Sequence, residues 1–432
     1  MSPPLALVLG LLLCGRPLVA GPRGDDSTTV DYWLGGLHVI QRYVAGTDLV
    51  AVRLFLLGGT RQLTAPTQGI EALLLEAATQ GSARFPADSS IAAMTATGSV
   101  EVREVDRDWS EIGFTTLAAG AADAWAVFAD RVAAPQLGDS AIAAARRTLI
   151  RFAHDRHTDP DTRVFLLADS ALFKGHPYAF DPLGTEVSIR GIPDSAVRDY
   201  QARQMVTSRM LLVVVGRVTR AEVEQWVAPT LARLSAGNYQ WAPSPPPKPA
   251  RSTWLIEQRS LPTNYLVGVF TGPAAGSDDY WAFQVAMSFL HGAFFYDVRT
   301  RRGLSYAPEA LFIDQAQTSG AIYASSRNPA AVAKLMGQAM TEVKVLRSDD
   351  IWYRRLQRTF AFDYLEARST VGGQADLLAR AQLLLGDYHR IGDFGERLRR
   401  VRVDEVRGAA TEFFQNFQMA FIGDTVAMRG GW

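Results

Sequence analysis

Cysteine is almost missing from this chain: Cys14 is the only one in 432 residues. It lies next to an apolar run, residues 5–13, that is too short to span a bilayer and precedes a cleavage point at residues 18–20, Leu-Val-Ala. This pattern predicts a secretory signal peptide in residues 1–20 and export to a bacterial-type periplasm. Its removal would leave no cysteine, which excludes disulfides and thiolate chemistry. An apolar tail, or lipidation of Cys14, is the alternative.

Net charge and long apolar runs are also missing. The 44 basic residues balance the 44 acidic ones, so the chain has no net positive charge that would attract nucleic acid. No later segment has 18 or more uninterrupted apolar residues, so we expect no transmembrane segment in the mature chain. There is no Gly-x-Ser-x-Gly elbow and no glycine-rich phosphate loop, so a serine nucleophile and a nucleotide site find no support.

The length and one proline-rich segment predict two domains. A chain of 432 residues exceeds a single hydrophobic core. Residues 241–251 contain five prolines, which favour an extended connector. We therefore expect an N-terminal domain over residues 21–240 and a C-terminal domain over residues 252–432.

Similar patterns recur in the two halves at an interval of about 210 residues, which indicates a duplicated domain. The matching segments are 194–198 with 403–407, 210–216 with 419–423, and 50–57 with 265–270. Helices are predicted at 70–78, 118–134, 139–153, 280–291, 329–346 and 351–385, the last with a break at 372–373. Short strands alternate irregularly with these helices, which predicts an α+β fold with a mixed sheet in each half. Coincidence of generic elements is the alternative.

A glycine turn followed by an alanine- and leucine-rich helix, residues 58–82, resembles the zinc-binding helix of the insulinase/pitrilysin-type metallopeptidases. In that family the helix carries His-x-x-Glu-His, whose two imidazoles bind zinc and whose glutamate activates water. The matching positions here are Ala72, Leu75 and Glu76. The family's third ligand, a glutamate, would fall in residues 149–153, which contain no acid. The resemblance therefore implies that this chain holds no zinc and no other cofactor.

Residues 154–159 contain a second group of possible metal ligands. His154, Asp155, His157 and Asp159 lie within six residues, and two histidines spaced i, i+3 can chelate a metal on a helix. The run is polar and reaches a proline, so we interpret it as a helix end that enters a solvated loop. His176, in Gly-His-Pro-Tyr, resembles a loop of the same family and is expected to be structural.

Residues 294–306 combine a basic helix end, Gly303 and a strand expected from residue 304 or 305. Taken alone, this pattern favours an arginine that solvates the helix end and a tyrosine that packs on a sheet. The segment is also similar to the family's Arg…Arg-Gly-Leu-Ala-Tyr motif, with Arg299 and Tyr306 at the matching positions. The resemblance implies that both side chains reach a substrate at a zinc site. A guanidinium can hold a peptide carbonyl, and a phenol can donate to an oxyanion.

The resemblance extends over essentially the whole mature chain and is to the two-domain, processing-peptidase-like members. Such members form heterodimers. It implies a non-catalytic subunit, inactive alone, whose homologous partner has an intact His-x-x-Glu-His motif, holds zinc and cleaves a peptide substrate. The alternative is a catalytically dead scaffold or interaction protein of the same fold, in which Arg299 and Tyr306 only pack. An active enzyme that uses the His154–His157 cluster is a third, remote interpretation.

Overall fold

A computed structural model describes residues 28–347 and 351–430 of the chain. The signal-peptide prediction lies outside the described residues. Within the two described ranges, no helix combines the length and the apolar character needed to cross a membrane.

Eleven strands and fourteen α-helices are assigned within the described residues. The strands are β1 Thr29–Leu34, β2 Leu37–Tyr43, β3 Leu49–Leu57, β4 Val100–Val105, β5 Trp109–Leu117, β6 Met210–Gly216, β7 Thr253–Gln258, β8 Asn264–Ala274, β9 Glu309–Ile313, β10 Gln317–Ser326 and β11 Gln418–Gly423. The helices are α1 Ile70–Ala78, α2 Ala87–Ala96, α3 Ala121–Ala133, α4 Asp139–Thr158, α5 Pro160–Leu172, α6 Glu186–Gly191, α7 Asp194–Gln204, α8 Arg220–Val227, α9 Asp278–Phe295, α10 Pro329–Lys344, α11 Ile351–Ser369, α12 Val371–Leu385, α13 Asp393–Arg400 and α14 Val403–Phe413.

Each half of the chain builds one mixed sheet. The first sheet has the order β1-β2-β6-β3-β5-β4, in which only β2 and β6 pair in parallel. The second has the order β7-β11-β8-β10-β9, in which only β7 and β11 pair in parallel. The predicted α+β class with a mixed sheet in each half is confirmed.

Each half packs one of its helices on the sheet of the other half. α5, from the first half, packs on β8 and β11 of the second sheet, and α12, from the second half, packs on β3 and β6 of the first. The helices of each half cover the other face of its own sheet. The central strands are therefore buried on both faces, which explains why β6 reads Met-Leu-Leu-Val-Val-Val-Gly without alternation.

Two local predictions need correction. The helix expected over residues 351–385 is broken at Thr370, whose side chain accepts a hydrogen bond from the amide of Gly373 and so caps α12. The break therefore lies before Gly372. The strand expected directly after Gly303 is also wrong, because residues 302–308 form no strand and β9 begins at Glu309.

Candidate functional site

The helix that matches the family's zinc-binding helix, α1, begins at a left-handed glycine. Gly69 has a φ of 84°, and a Cβ there would lie 2.8 Å from the Cα of Gly184, so only glycine fits. This turn sets α1 against the first sheet. Ala72 and Leu75 are then buried in the apolar core, with 4% and 6% of their surface exposed. Neither offers an atom that could bind a metal or activate water.

Glu76, the third residue of the degenerate motif, is held by a partner. Its Oε2 lies 2.6 Å from Nη2 of Arg103 on β4, and Nη1 of the same guanidinium donates to the Leu75 carbonyl at 3.3 Å. A cavity of about 360 Å³ lies beside this pair, between α1, α3 and β4, and its wall combines apolar residues such as Leu74 and Phe128 with charged ones such as Arg131. The residues present therefore do not fit zinc.

The other positions considered for metal binding have partners or surroundings of their own. Leu149 and Ala153 of α4 are buried, and α4 packs against α1 without an acidic residue in 149–153. In the part of the chain that the structure describes, no group of three or more His, Cys, Asp or Glu side chains is arranged to hold a metal. His154 instead pairs with Glu186, Nδ1 to Oε1 at 3.0 Å. Asp159 caps α5 by accepting from the amide of Thr162.

Arg299 and Tyr306 come together at the surface of the second half. A π-helical turn over Tyr296–Arg301 extends α9, and the Arg299 guanidinium lies 4.3 Å from the centroid of the Tyr306 ring. This is a cation–π distance, and π-helical turns are frequent at functional sites. Tyr306 is 81% exposed, so its hydroxyl is open to solvent and its ring does not pack on a sheet.

Several contacts fix the segment that carries this pair. Gly303 turns the chain with a φ of 60°, and the amide of Leu304 donates to the Val298 carbonyl at 2.9 Å. Ser326 of β10 donates its hydroxyl to the Leu304 carbonyl at 2.6 Å. Asp297 pairs with the neighbouring Arg301 and Arg302 at 3.2 and 2.9 Å. The surface pair is therefore attached to the core of the second half.

The structure also brings together polar residues that the sequence analysis missed, at the junction of the two halves. Asp108, 2% exposed, accepts hydrogen bonds from the Tyr178 hydroxyl and, at 2.7 Å, from the Ala316 amide. Burial raises the pKa of Asp108 to about 6 and raises that of Tyr178. These residues are separated by 70 and 208 positions in the chain, so no local spacing could have indicated the cluster.

His176 has the structural environment that its loop motif predicts. Its Nε2 lies 2.7 Å from the Pro245 carbonyl in the proline-rich segment, and its Nδ1 accepts from the Tyr178 amide at 3.1 Å. Burial lowers the pKa of His176, which favours the neutral ring that this pair of hydrogen bonds needs.

The fold and the degenerate helix define a metallopeptidase-like protein without its metal ligands, and comparisons with known proteins agree. Residues 194–356 match the family model described as the peptidase M16 inactive domain. The uncharacterized zinc protease YmxG of Bacillus subtilis is 21% identical over 276 residues, which cover 61% of this chain and 66% of that protein. The aligned region therefore spans slightly less than two thirds of the curated relative.

Solved structures share the whole fold. A peptidase M16 inactive domain from Pseudomonas fluorescens has a TM-score of 0.82 at 18% identity, covering 93% of this chain and 99% of that one. A protease from Helicobacter pylori has a TM-score of 0.81 at 16% identity, covering 91% and 98%. A chain of complex III2 from Candida albicans has a TM-score of 0.75 at 15% identity, covering 93% and 96%. This chain is therefore similar in fold to the M16 metallopeptidases, and residues 194–356 match the inactive domain of that family.

Proposed function

We propose that this chain is the non-catalytic subunit of a two-chain zinc metallopeptidase. A homologous partner with an intact His-x-x-Glu-His motif would supply the zinc and the water-activating carboxylate. This chain would supply Arg299 and Tyr306 to a peptide bound at the partner's zinc.

One observation carries the proposal: the positions that match the family's zinc motif are buried, whereas the pair that matches its arginine–tyrosine motif is accessible. The zinc-motif positions Ala72 and Leu75 are buried in the core, whereas Tyr306 is exposed and stacked against Arg299 at 4.3 Å. An exposed phenol and a guanidinium, held side by side, are suited to bind a carbonyl oxygen as its charge develops.

Reconstitution tests the proposal. A homologous chain with His-x-x-Glu-His is expressed alone and together with this chain, and both preparations are assayed for cleavage of a quenched fluorescent peptide library. We expect the two chains to elute together on size exclusion and the mixture to cleave peptides. Each chain alone should be nearly inactive. A partner that is fully active alone, or no complex at all, would overturn the proposal.

The second candidate function is an assembly scaffold of the same fold. The chain of Candida albicans complex III2 favours it, because a chain in that assembly adopts this architecture. A scaffold would bind its partner without any contribution of Arg299 or Tyr306 to turnover. Replacement of these two side chains in the reconstituted pair therefore distinguishes the candidates.

We also propose that residues 1–20 direct export to a periplasm. Fractionation of cells that express the full chain, with mass spectrometry of its N-terminus, tests this. Cleavage near Ala20 and recovery from the periplasmic fraction are expected. A full-length chain in the cytosolic fraction, or a lipid on Cys14, would contradict it.

A further inference from the structure

A second cavity lies at the junction of the two halves, on the face of β4 opposite the degenerate zinc helix. Its volume is about 380 Å³. Its wall combines β3, β4 and β5 of the first half with the β9–β10 turn and α12 of the second. Six carboxylates and two guanidiniums line it: Glu104, Asp106, Asp108, Glu111, Asp314, Asp376, Arg53 and Arg380. The acidic side chains exceed the basic ones by four.

The two arginines are already engaged with part of this acidic wall. The Nε of Arg53 lies 3.1 Å from Glu111 Oε1 and 3.4 Å from Asp376 Oδ1. Arg380 pairs with Asp314. Glu104 lies directly opposite Glu111 in the antiparallel register of β4 and β5, where two like charges repel each other. The cavity therefore keeps an uncompensated acidic wall.

Gln315 adds to this wall a buried acceptor without a hydrogen-bond partner among the described residues. Gln315, only 7% exposed, forms part of the cavity wall, and its Nε2 donates to Asp106 Oδ1 at 2.9 Å. Its Oε1 is buried and has no hydrogen-bond partner within the described residues. Buried amide oxygens are almost always paired, so this orphaned acceptor calls for a donor in the cavity.

The shape of the wall favours an organic cation over a metal ion. The carboxylates are spread around the cavity, and no three of them converge on one point among the residues that the structure describes. Phe55 and Trp109 add two aromatic rings, 6.2 Å apart, to the same wall. Aromatic faces together with dispersed oxygen acceptors suit a group with several N–H donors.

We propose that this cavity binds an ammonium or guanidinium group, either a free small amine or the basic side chain of a peptide. The N–H groups donate to Glu104 and to the free Oε1 of Gln315, and the alkyl stem lies against Phe55 and Trp109. This site is independent of the proposed peptidase role, because it belongs to this chain alone and needs no partner and no zinc.

The pH dependence of binding follows from the groups around Glu111. Burial, followed by the charge of Asp376 on α12, raises the pKa of Glu111 to about 7, while Arg53 on β3 lowers it and Glu104 on β4 raises it further. Glu111 therefore gains its charge between pH 6 and 8, and a bound cation gains an attractive partner over the same interval. Affinity should rise with pH across this window.

Calorimetric titration of the full chain tests the site. The probes are putrescine and its uncharged isostere 1,4-butanediol, at pH 8 and low salt. Putrescine should bind and 1,4-butanediol should not. Glu104→Gln, which removes a charge at constant volume, should weaken putrescine about tenfold, as expected for one close charge pair. Glu224→Gln, at an exposed carboxylate of α8 outside the cavity wall, is the control and should leave affinity unchanged.

Two further arms identify the source of the group. An acetylated peptide with one lysine is compared with the same peptide carrying norleucine. Tighter binding of the lysine peptide than of putrescine assigns the site to a peptide side chain, and the reverse order assigns it to a free amine. The proposal is overturned if neither cation binds, if Glu104→Gln changes nothing, or if Ca²⁺ binds more tightly than both.

Discussion

Arg103 on β4 forms an ion pair of 2.6 Å with Glu76 on α1. Glu76 stands where the resemblance to the peptidases places the second zinc-binding histidine, so a guanidinium now takes the place of the metal as the partner of this position. The preceding residues of the helix, Ala72 and Leu75, have joined the apolar core. Buried apolar side chains and one ion pair therefore occupy the three positions at which the family has its zinc ligands and its catalytic glutamate.

The same helix contributes a buried ion pair whose loss should destabilise the fold strongly. Glu71 Oε2 lies 2.9 Å from Arg209 Nη2, and both side chains are at most 5% exposed. Tyr200 donates to the same carboxylate at 2.8 Å. Glu71→Gln should lower the free energy of unfolding by about 3–5 kcal/mol, because it leaves Arg209 buried without its counter-charge. Urea unfolding measures this.

The matched control is Glu224→Gln on α8. Glu224 pairs with Arg220 at 2.7 Å on the exposed surface, with one helical turn between them. Glu224→Gln should lower the free energy of unfolding by no more than about 0.5 kcal/mol. If both variants lost a similar free energy of unfolding, burial would not determine how much each ion pair contributes to stability.

The junction of the two halves should make stability depend on pH. The folded-state pKa of Asp108 is about 6, against an ordinary value of 3.8, because burial disfavours its charge. Its stabilising contribution is therefore fully present below about pH 4 and is lost as pH rises through 6. The difference between these two pKa values corresponds to about 3 kcal/mol in the free energy of unfolding. Asp108→Asn should remove this loss, so the variant should gain stability relative to the natural chain between pH 4 and 7.5. A constant difference at the two pH values would contradict the assignment.

His176 should hold the proline-rich segment against the first half. Its Nε2 hydrogen bond to the Pro245 carbonyl fixes residues that form no helix or strand. His176→Ala should therefore accelerate limited proteolysis within residues 241–251, observed as two fragments close to the expected domain sizes. His389→Ala, at an exposed histidine paired with Asp387, is the control and should not change the cleavage rate. Equal rates in all three chains would exclude this role.

Local elements were predictable where a local signal exists. α1 was expected over residues 70–78 and is found there, because Gly69 marks its start and apolar residues continue to Ala78. The break before α12 was expected at its two glycines, but it falls at Thr370, because a side-chain cap decides where a helix begins. Glycine pairs alone did not indicate that cap.

The packing of α5 and α12 on the sheet of the opposite half was not predictable, because the residues of a helix do not indicate which sheet the helix covers. The second cavity was not predictable for the same reason. Its acceptors come from β4, β5, the β9–β10 turn and α12, and only the tertiary fold brings them to one place. The degenerate zinc helix and the Arg299–Tyr306 segment were found because each is a contiguous motif that resembles a family pattern.

The most direct test of the proposed function measures turnover of the reconstituted pair with Arg299→Ala and Tyr306→Phe. Each change should lower kcat about 100-fold or more, as loss of one oxyanion donor does, while the two chains still elute together. Arg400→Ala, which removes an exposed arginine paired with Glu396 on α13, should leave kcat unchanged. Unchanged turnover in both Arg299→Ala and Tyr306→Phe would contradict a contribution of this chain to the partner's site.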